Sequence, residues 1–309
     1  MIVTVTANPA IDVRYELDDF VIGGVHRALE TSKTAGGKGL NVSRVLSQLD
    51  EEVSATGFLG GSAGETIRTT LQHLQINDLF TVINGETRNC IAIHHGGKQT
   101  EILEKGPTIT GPETDALLKN FREILKDADV TTMSGSLPAG VEADFYTTLI
   151  KEAHTQSVPV VLDTNGSTLQ KVLQKSPKPS MMKPNLEEFE DLVGQSLATD
   201  NEMARALKSP LFGEISTIVV TLGSDGAIIK HNEIIYRVSA PQIEAKNPVG
   251  SGDAVTAGLA TGIKRGYKDE ELFSFALSLG ALNAQEKETG HIDIRQLERV
   301  KSRVNIKRL

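Results

Sequence analysis

The segment Asn247-Pro-Val-Gly-Ser-Gly-Asp253 carries the strongest chemical signal in the chain, because it runs directly into a helical stretch at Ala254–Lys264. Gly250 and Gly252 permit tight backbone turns. A helix starting there presents unpaired N–H groups at the positive end of its dipole, and such a terminus binds phosphate. Asp253 stands beside that anion site, placed to take a proton from an attacking hydroxyl. The plainer alternative is a helix start with Asp in its first turn, a common arrangement.

The second signal is Thr34-Ala-Gly-Gly-Lys-Gly-Leu-Asn41, which leads into the amphipathic stretch Val42–Leu49. Gly36, Gly37 and Gly39 allow close approach of backbone to a ligand, Lys38 offers a compact charge, and Asn41 offers both donors and acceptors. It is not a Walker A loop, since Gly39 stands where that motif needs Ser or Thr after Gly-Lys. The seven histidines show no HxxxH or HxH spacing, which argues against a zinc site. His94 and His95 are adjacent in an expected strand and should face opposite ways.

These residues need a scaffold, and the hydrophobic pattern describes one. Short β-branched runs at Ile2–Thr6, Val53–Phe58, Val130–Met133, Val158–Leu162 and Thr217–Thr221 alternate with helical pattern at Leu40–Leu49, Glu65–Leu74, Pro112–Lys126, Phe145–Thr155 and Ser251–Lys264. Alternation of this kind predicts a mostly parallel sheet flanked by helices. Two regions break it. Residues 13–34 and 79–103 read as antiparallel strands, the latter with a hairpin around Gly96-Gly97, and together they are expected to form a small sheet over a substrate cleft. A decorative edge sheet is the alternative. From Glu270 onward the pattern is helical, ending in a charged tail whose Arg295, Arg299, Lys301, Arg303, Lys307 and Arg308 read as a solvated helix face.

At 309 residues the chain can bury a large core as one α/β domain. A net charge of −8 and a pI near 5.5 argue against nucleic acid as a partner. No apolar run reaches the roughly 18 residues that span a bilayer, the start lacks signal-peptide character, and the single Cys90 cannot form an internal disulfide. The expectation is a cytoplasmic protein, with Cys90 a small core residue.

Taken together, the two glycine-rich segments resemble those of the PfkB-type, ribokinase-like sugar kinases. The resemblance extends over essentially the whole chain. Asn8-Pro-Ala-Ile-Asp12 is similar to the family's early substrate segment, Ser134-Gly-Ser-Leu-Pro138 to its central loop, Lys183-Pro-Asn-Leu-Glu-Glu188 to its NxxE motif, and Thr221-Leu-Gly-Ser-Asp-Gly226 to its nucleotide-binding turn. Gly85–Ile93, the last signature and Leu282-Asn-Ala-Gln-Glu286 look most like the branch acting on tagatose 6-phosphate, with 1-phosphofructokinases the nearest rival. Many family members carry Asp-Thr at the head of the last signature. Asn247-Pro248 here is similar to the phosphosugar branch.

The resemblance implies an ATP- and Mg²⁺-dependent kinase for a small sugar phosphate. Asp12, Asn41, Gly36, Gly37 and Ser136 would hold the sugar. Arg27, Arg88 and Lys38 would meet its phosphate, Arg being suited to bidentate contact. Lys183 and Asn185 would reach ATP, Glu188 would order Mg²⁺ through water, and Thr221, Gly223, Gly226 and Asn283 would line the nucleotide cleft. Asp253 would be the base, and the amides of Gly250, Ser251 and Gly252 an oxyanion-type site. A homodimer through the lid is implied as well. The competing class is a non-catalytic sugar-phosphate or nucleotide sensor, which would have no need of a base at Asp253.

Overall fold

The computed structural model describes residues 1–309. Its first half runs β1 (Ile2–Thr6), β2 (Ala10–Leu17), β3 (Glu30–Gly36), α1 (Lys38–Gln48), β4 (Val53–Leu59) and α2 (Gly61–His73). Then come the short β5 (Asn77–Asp78) and β6 (Thr81–Val82), the hairpin β7 (Arg88–His95) and β8 (Lys98–Leu103), and α3 (Gly111–Ile124). The second half begins β9 (Val130–Ser134), α4 (Phe145–Thr155), β10 (Val160–Asp163), α5 (Gly166–Leu173), β11 (Met181–Met182), α6 (Leu186–Val193) and α7 (Asp200–Leu207). It ends with β12 (Thr217–Thr221), β13 (Ala227–His231), β14 (Ile234–Ser239), α8 (Ser251–Arg265), α9 (Asp269–Ala284), α10 (Leu297–Lys301) and β15 (Asn305–Arg308).

The large sheet has the order β15-β14-β13-β12-β11-β10-β9-β1-β4-β5, with β6 also pairing β4. It is parallel from β5 to β12 and antiparallel beyond. Alternate side chains feed two apolar layers: Ile2, Val130, Val161 and Val219 enter one, while Val3, Met133, Leu162 and Val220 enter the other. Helices α1, α2, α8 and α9 cover the first face and α3 to α7 the second. The strands therefore read as continuous apolar runs rather than alternating ones. Close packing of α8 on α9 needs Gly258, where a Cβ would lie 2.6 Å from the Cα of Ala276.

A second sheet, ordered β3-β2-β7-β8, stands apart from the first. It is the expected lid, with three differences. Its two central strands, β2 and β7, pair in parallel, because the chain passes through β4 and α2 before returning. The lid strands begin at Ala10, before residue 13, and run to Gly36, beyond residue 34. Residues 77–82 join the edge of the large sheet instead of the lid.

The C-terminal expectation is corrected too. Helix α9 stops at Ala284, and Asn305–Arg308 pairs with β14 as an antiparallel edge strand. Lys307 and Arg308 thus lie on a strand, where alternation with Ile306 suits a half-covered edge. Cys90 is partly exposed on β7 and lines the cleft between lid and large sheet rather than the core.

Candidate active site

A cleft of about 870 Å³ lies between the lid and the carboxyl ends of β1, β9, β10, β11 and β12. Chain order reverses at β1, which pairs with both β4 and β9, and open α/β sheets bind ligands at such a switch point.

On the lid side, Asp12 comes from β2 and Arg88 from the start of β7. Gly36 sits against Asp12 so closely that a Cβ would fall 2.1 Å from the carboxyl carbon. A side chain at Gly36 would have to displace the Asp12 carboxyl. Burial pushes the Asp12 carboxyl up to about 6, against the pull of Arg44 and Arg88. Arg88 donates from Nη1 to Glu104 O at 2.9 Å and from Nη2 to Asn8 O at 3.1 Å, while its Nε is buried without a partner. Asn8 Oδ1 is orphaned beside it. Buried polar atoms with no protein partner that face a cleft can be satisfied there by water or by a ligand.

In the centre, Gly37 caps α1 with φ 106°, which brings Lys38 into the cleft as the first helical residue. Lys38 Nζ lies 3.0 Å from Asp163 Oδ1, and Lys183 Nζ lies 3.0 Å from Asp163 Oδ2. Burial alone would raise the Asp163 carboxyl. The two ammonium groups outweigh it and hold Asp163 well below the usual carboxylate range. Asp253 has no such partner. Its Oδ2 accepts a 2.8 Å hydrogen bond from Asn41 Nδ2, and burial, reinforced by the nearby Asp163 charge, pushes its carboxyl up to about 7. Two carboxylates with opposed shifts are thus set side by side, one locked as an anion and one poised to exchange a proton near neutrality.

On the far side, Gly250 adopts φ 85° and starts α8. A Cβ there would lie 2.5 Å from Thr289 Cγ2, so both conformation and space require glycine. The amides of Gly250, Gly252 and Asp253 have no backbone partner. The Ser251 amide differs from the expectation: it donates to Pro248 O at 3.2 Å and is spent on closing the turn. Asn185 and Glu188 form a reciprocal capping box on α6, with Glu188 bonding through Oε2. Thr221, Gly223 and Gly226 line the outer cleft, and Gly226 has Val238 O where a Cβ would be.

Asp12, Gly37, Lys38, Asn41, Arg88, Ser136, Lys183, Asn185, Glu188 and Gly250–Asp253 all line this one cleft, although they are spread over most of the chain. Three expected residues do not, of which Gly36 is buried behind the wall, against the Asp12 carboxyl. Arg27 is exposed in the connection between β2 and β3, and the register pairs Ala10 with Gly36 at the cleft end, so that connection sits at the opposite end of the strands. Asn283 is fully buried. Its amide donates to Val249 O at 2.9 Å and its carbonyl accepts from Gly290 N at 2.8 Å, so it braces the turn that precedes α8 from behind and does not reach the cleft.

The pfkB family carbohydrate kinase model matches residues 4–295. The chain belongs to that family. It is 45% identical over 307 residues to a tagatose-6-phosphate kinase of Staphylococcus epidermidis, covering 99% of each chain. It is similar to a Thermotoga maritima structure described as a possible 1-phosphofructokinase, with 26% identity, a TM-score of 0.90, and coverage of 100% of this chain and 99% of the other. It also has the fold of a tetrameric, inhibited form of phosphofructokinase-2 from Escherichia coli, at 24% identity and a TM-score of 0.88 over 97% and 98% of the two chains.

Within this pfkB kinase two site residues escaped the sequence reading. Asp163 ends the apolar run of β10, and a lone carboxylate at the carboxyl end of a parallel strand was the available signal. Arg44 is a buried guanidinium one helical turn beyond Asn41, and nothing in an amphipathic helix distinguishes it from a solvated arginine.

Proposed function

We propose that this protein is a tagatose-6-phosphate kinase, transferring the γ-phosphoryl group of ATP to the C1 hydroxyl to give tagatose 1,6-bisphosphate. The observation that carries the reading is the position of Asp253. It lies where a cleft walled by Asp12, Lys38 and Arg88 on one side meets a free-amide helix terminus on the other. The sugar phosphate occupies the lid side, its phosphate meeting Lys38 and Arg88, whose orphaned Nε supports an additional acceptor. ATP extends from the amides of Gly250, Gly252 and Asp253 toward Thr221, Gly223 and Gly226, with Lys183 and Asn185 near its phosphates. The Glu188 side chain uses Oε2 to cap its helix and retains Oε1 for a hydrated cation, which fits the habit of Mg²⁺ of keeping several waters. Bound there, Mg²⁺ would neutralise phosphate charge.

Phosphoryl transfer draws mainly on alignment and charge stabilisation. Asp253 takes the C1 hydroxyl proton as the oxygen attacks. The three free amides meet charge on the transferring group. Closure of the lid sheet excludes water and limits ATP hydrolysis. Exposed Val21, Ile22, Val25 and Leu29 on the lid connection support a homodimer through that face. No helix is long and apolar enough to cross a membrane, and the lone cysteine suits the reducing cytoplasm.

The second reading is 1-phosphofructokinase, favoured by the likeness to the Thermotoga structure. A coupled ADP-release assay with tagatose 6-phosphate, fructose 6-phosphate, fructose 1-phosphate and the free sugars decides between them. Tagatose 6-phosphate should give the highest kcat/KM; a clear preference for fructose 1-phosphate would replace the proposal with the second reading.

A further inference from the structure

We infer that Arg44 is a positioning residue for the base: it fixes the amide of Asn41 so that Asn41 donates to Asp253, and it ties the sugar loop to the phosphate turn. The guanidinium is buried, yet no carboxylate lies within salt-bridge distance of it. It donates instead to three carbonyl oxygens, Asn41 Oδ1 at 3.0 Å, Thr289 O at 3.0 Å and Ala35 O at 2.6 Å. Burying a permanent cation on neutral acceptors is costly, and a residue kept there must contribute something that an apolar side chain would not.

Donor and acceptor chemistry identifies that contribution. Arginine has only donors, so the Asn41 atom facing it must be the carbonyl oxygen, which turns the amide nitrogen toward Asp253. Without Arg44, Asn41 Oδ1 loses its one hydrogen bond and the amide is free to flip. A flipped amide would set oxygen against carboxylate and destabilise the ionised base. In the structure Asp253 Oδ2 is occupied by Asn41, while Oδ1 accepts no hydrogen bond and is left for the substrate proton.

The other two contacts link the half-sites. Ala35 belongs to β3, beside the glycines that wall the sugar pocket. Thr289 adjoins Gly290, whose N–H is held by Asn283, and Asn283 in turn holds Val249 O behind the phosphate turn. Gly290 is confined to glycine by this packing, since a Cβ would lie 2.8 Å from Arg44 Nη1. One side chain therefore links the sugar wall at Ala35, the Asn41 amide that holds the base, and the Thr289-Gly290 segment that packs behind the phosphate turn.

The inference rests on Asp253 being the base, and the test keeps the two apart. The charged groups facing Asp253 are Asp163 on β10, Lys38 on α1, Lys183 after β11 and Arg44 itself, and those facing Arg44 are Asp12, Glu288 and Asp253. Arg44→Met removes a nearby cation as well as a hydrogen bond, and Arg44→Lys, which keeps the charge, separates the two effects. The pH profile of kcat/KM for tagatose 6-phosphate is measured for wild type, Arg44→Met, Asn41→Leu and the double variant. Arg44→Met should lower kcat about 10- to 100-fold, the scale of a misplaced reacting group, and should move the acid limb to higher pH, because a carboxylate that loses a donor is harder to ionise. The double variant should be no worse than Asn41→Leu alone. An unmoved acid limb, or losses that multiply, would overturn the inference and leave Arg44 a packing residue. If Arg44→Met does not fold, Arg44→Lys serves, since one ammonium cannot hold three carbonyls: its acid limb should shift the same way by less, and an unshifted limb again overturns the inference. Failure of the base assignment would register separately, as near-normal turnover in Asp253→Asn.

Discussion

Lys183 and Asp163 form a buried ion pair, Nζ to Oδ2 at 3.0 Å, with both side chains almost wholly removed from solvent. The same carboxylate holds Lys38 through its other oxygen. Asp163 thus gathers a lysine from the start of α1 and one from the segment after β11 onto a single anion, with a third contact from Thr256 Oγ1, 93 residues further along the chain, at 3.3 Å.

Asp163→Asn should therefore cost stability on the scale of breaking a buried pair, about 3–5 kcal/mol, because Lys183 is left charged and unpaired. Urea titration reads that loss. In the folded fraction the acid limb of kcat/KM should move to lower pH, since the Asp163 charge is one of the influences holding Asp253 up. A limb that stayed in place would mean that the two carboxylates do not sense each other.

Asp253→Asn should leave folding and ATP binding nearly intact and reduce turnover by roughly two to four decades, the range of a positioned base. Its effect on stability has a definite sign. The folded carboxyl is raised from 3.8 to about 7, so the folded state binds the extra proton in that window and loses stability as pH rises through it. Melting temperatures of wild type should fall relative to the Asn variant between pH 4 and about 7. Parallel curves would count against the shift.

Gly252→Val places a β-branched side chain where a Cβ would lie 3.2 Å from Lys183 Nζ, and it crowds the free amides of the phosphate turn. The KM for ATP should rise far more than that for the sugar phosphate. A folded variant with normal ATP kinetics would move the anion site elsewhere.

Arg88→Ala should lower kcat/KM for tagatose 6-phosphate by roughly 2–5 kcal/mol, the scale of truncating one partner of a buried charge pair. Free tagatose should be a poor substrate of the wild type and should lose much less in the variant, because it has no phosphate to miss. Equal losses on both substrates would remove Arg88 from phosphate recognition.

By itself the sequence determined the alternating core elements and the class of chemistry, but not the C-terminal edge strand Asn305–Arg308, which it read as helix. Apolar β-branched runs such as Ile2–Thr6 and Thr217–Thr221 read as strands buried on both faces, and the Gly250 turn reads as a helix start with amides exposed, because those properties are set by a few consecutive residues; the Ser251 amide, bonded to Pro248 O, is the exception that the fold decided. What depended on distant partners was decided by the tertiary structure. Asp163 and Arg44 look like any strand-end aspartate and any helix arginine until residues 125 and 245 positions away are brought against them. Arg27 and Asn283 show the converse, since register carried one to the far end of the lid and packing turned the other inward. Local pattern encodes backbone conformation and burial. Which charge faces which carbonyl, and so which carboxylate stays ionised and which is free to take a proton, is a property of the folded chain alone.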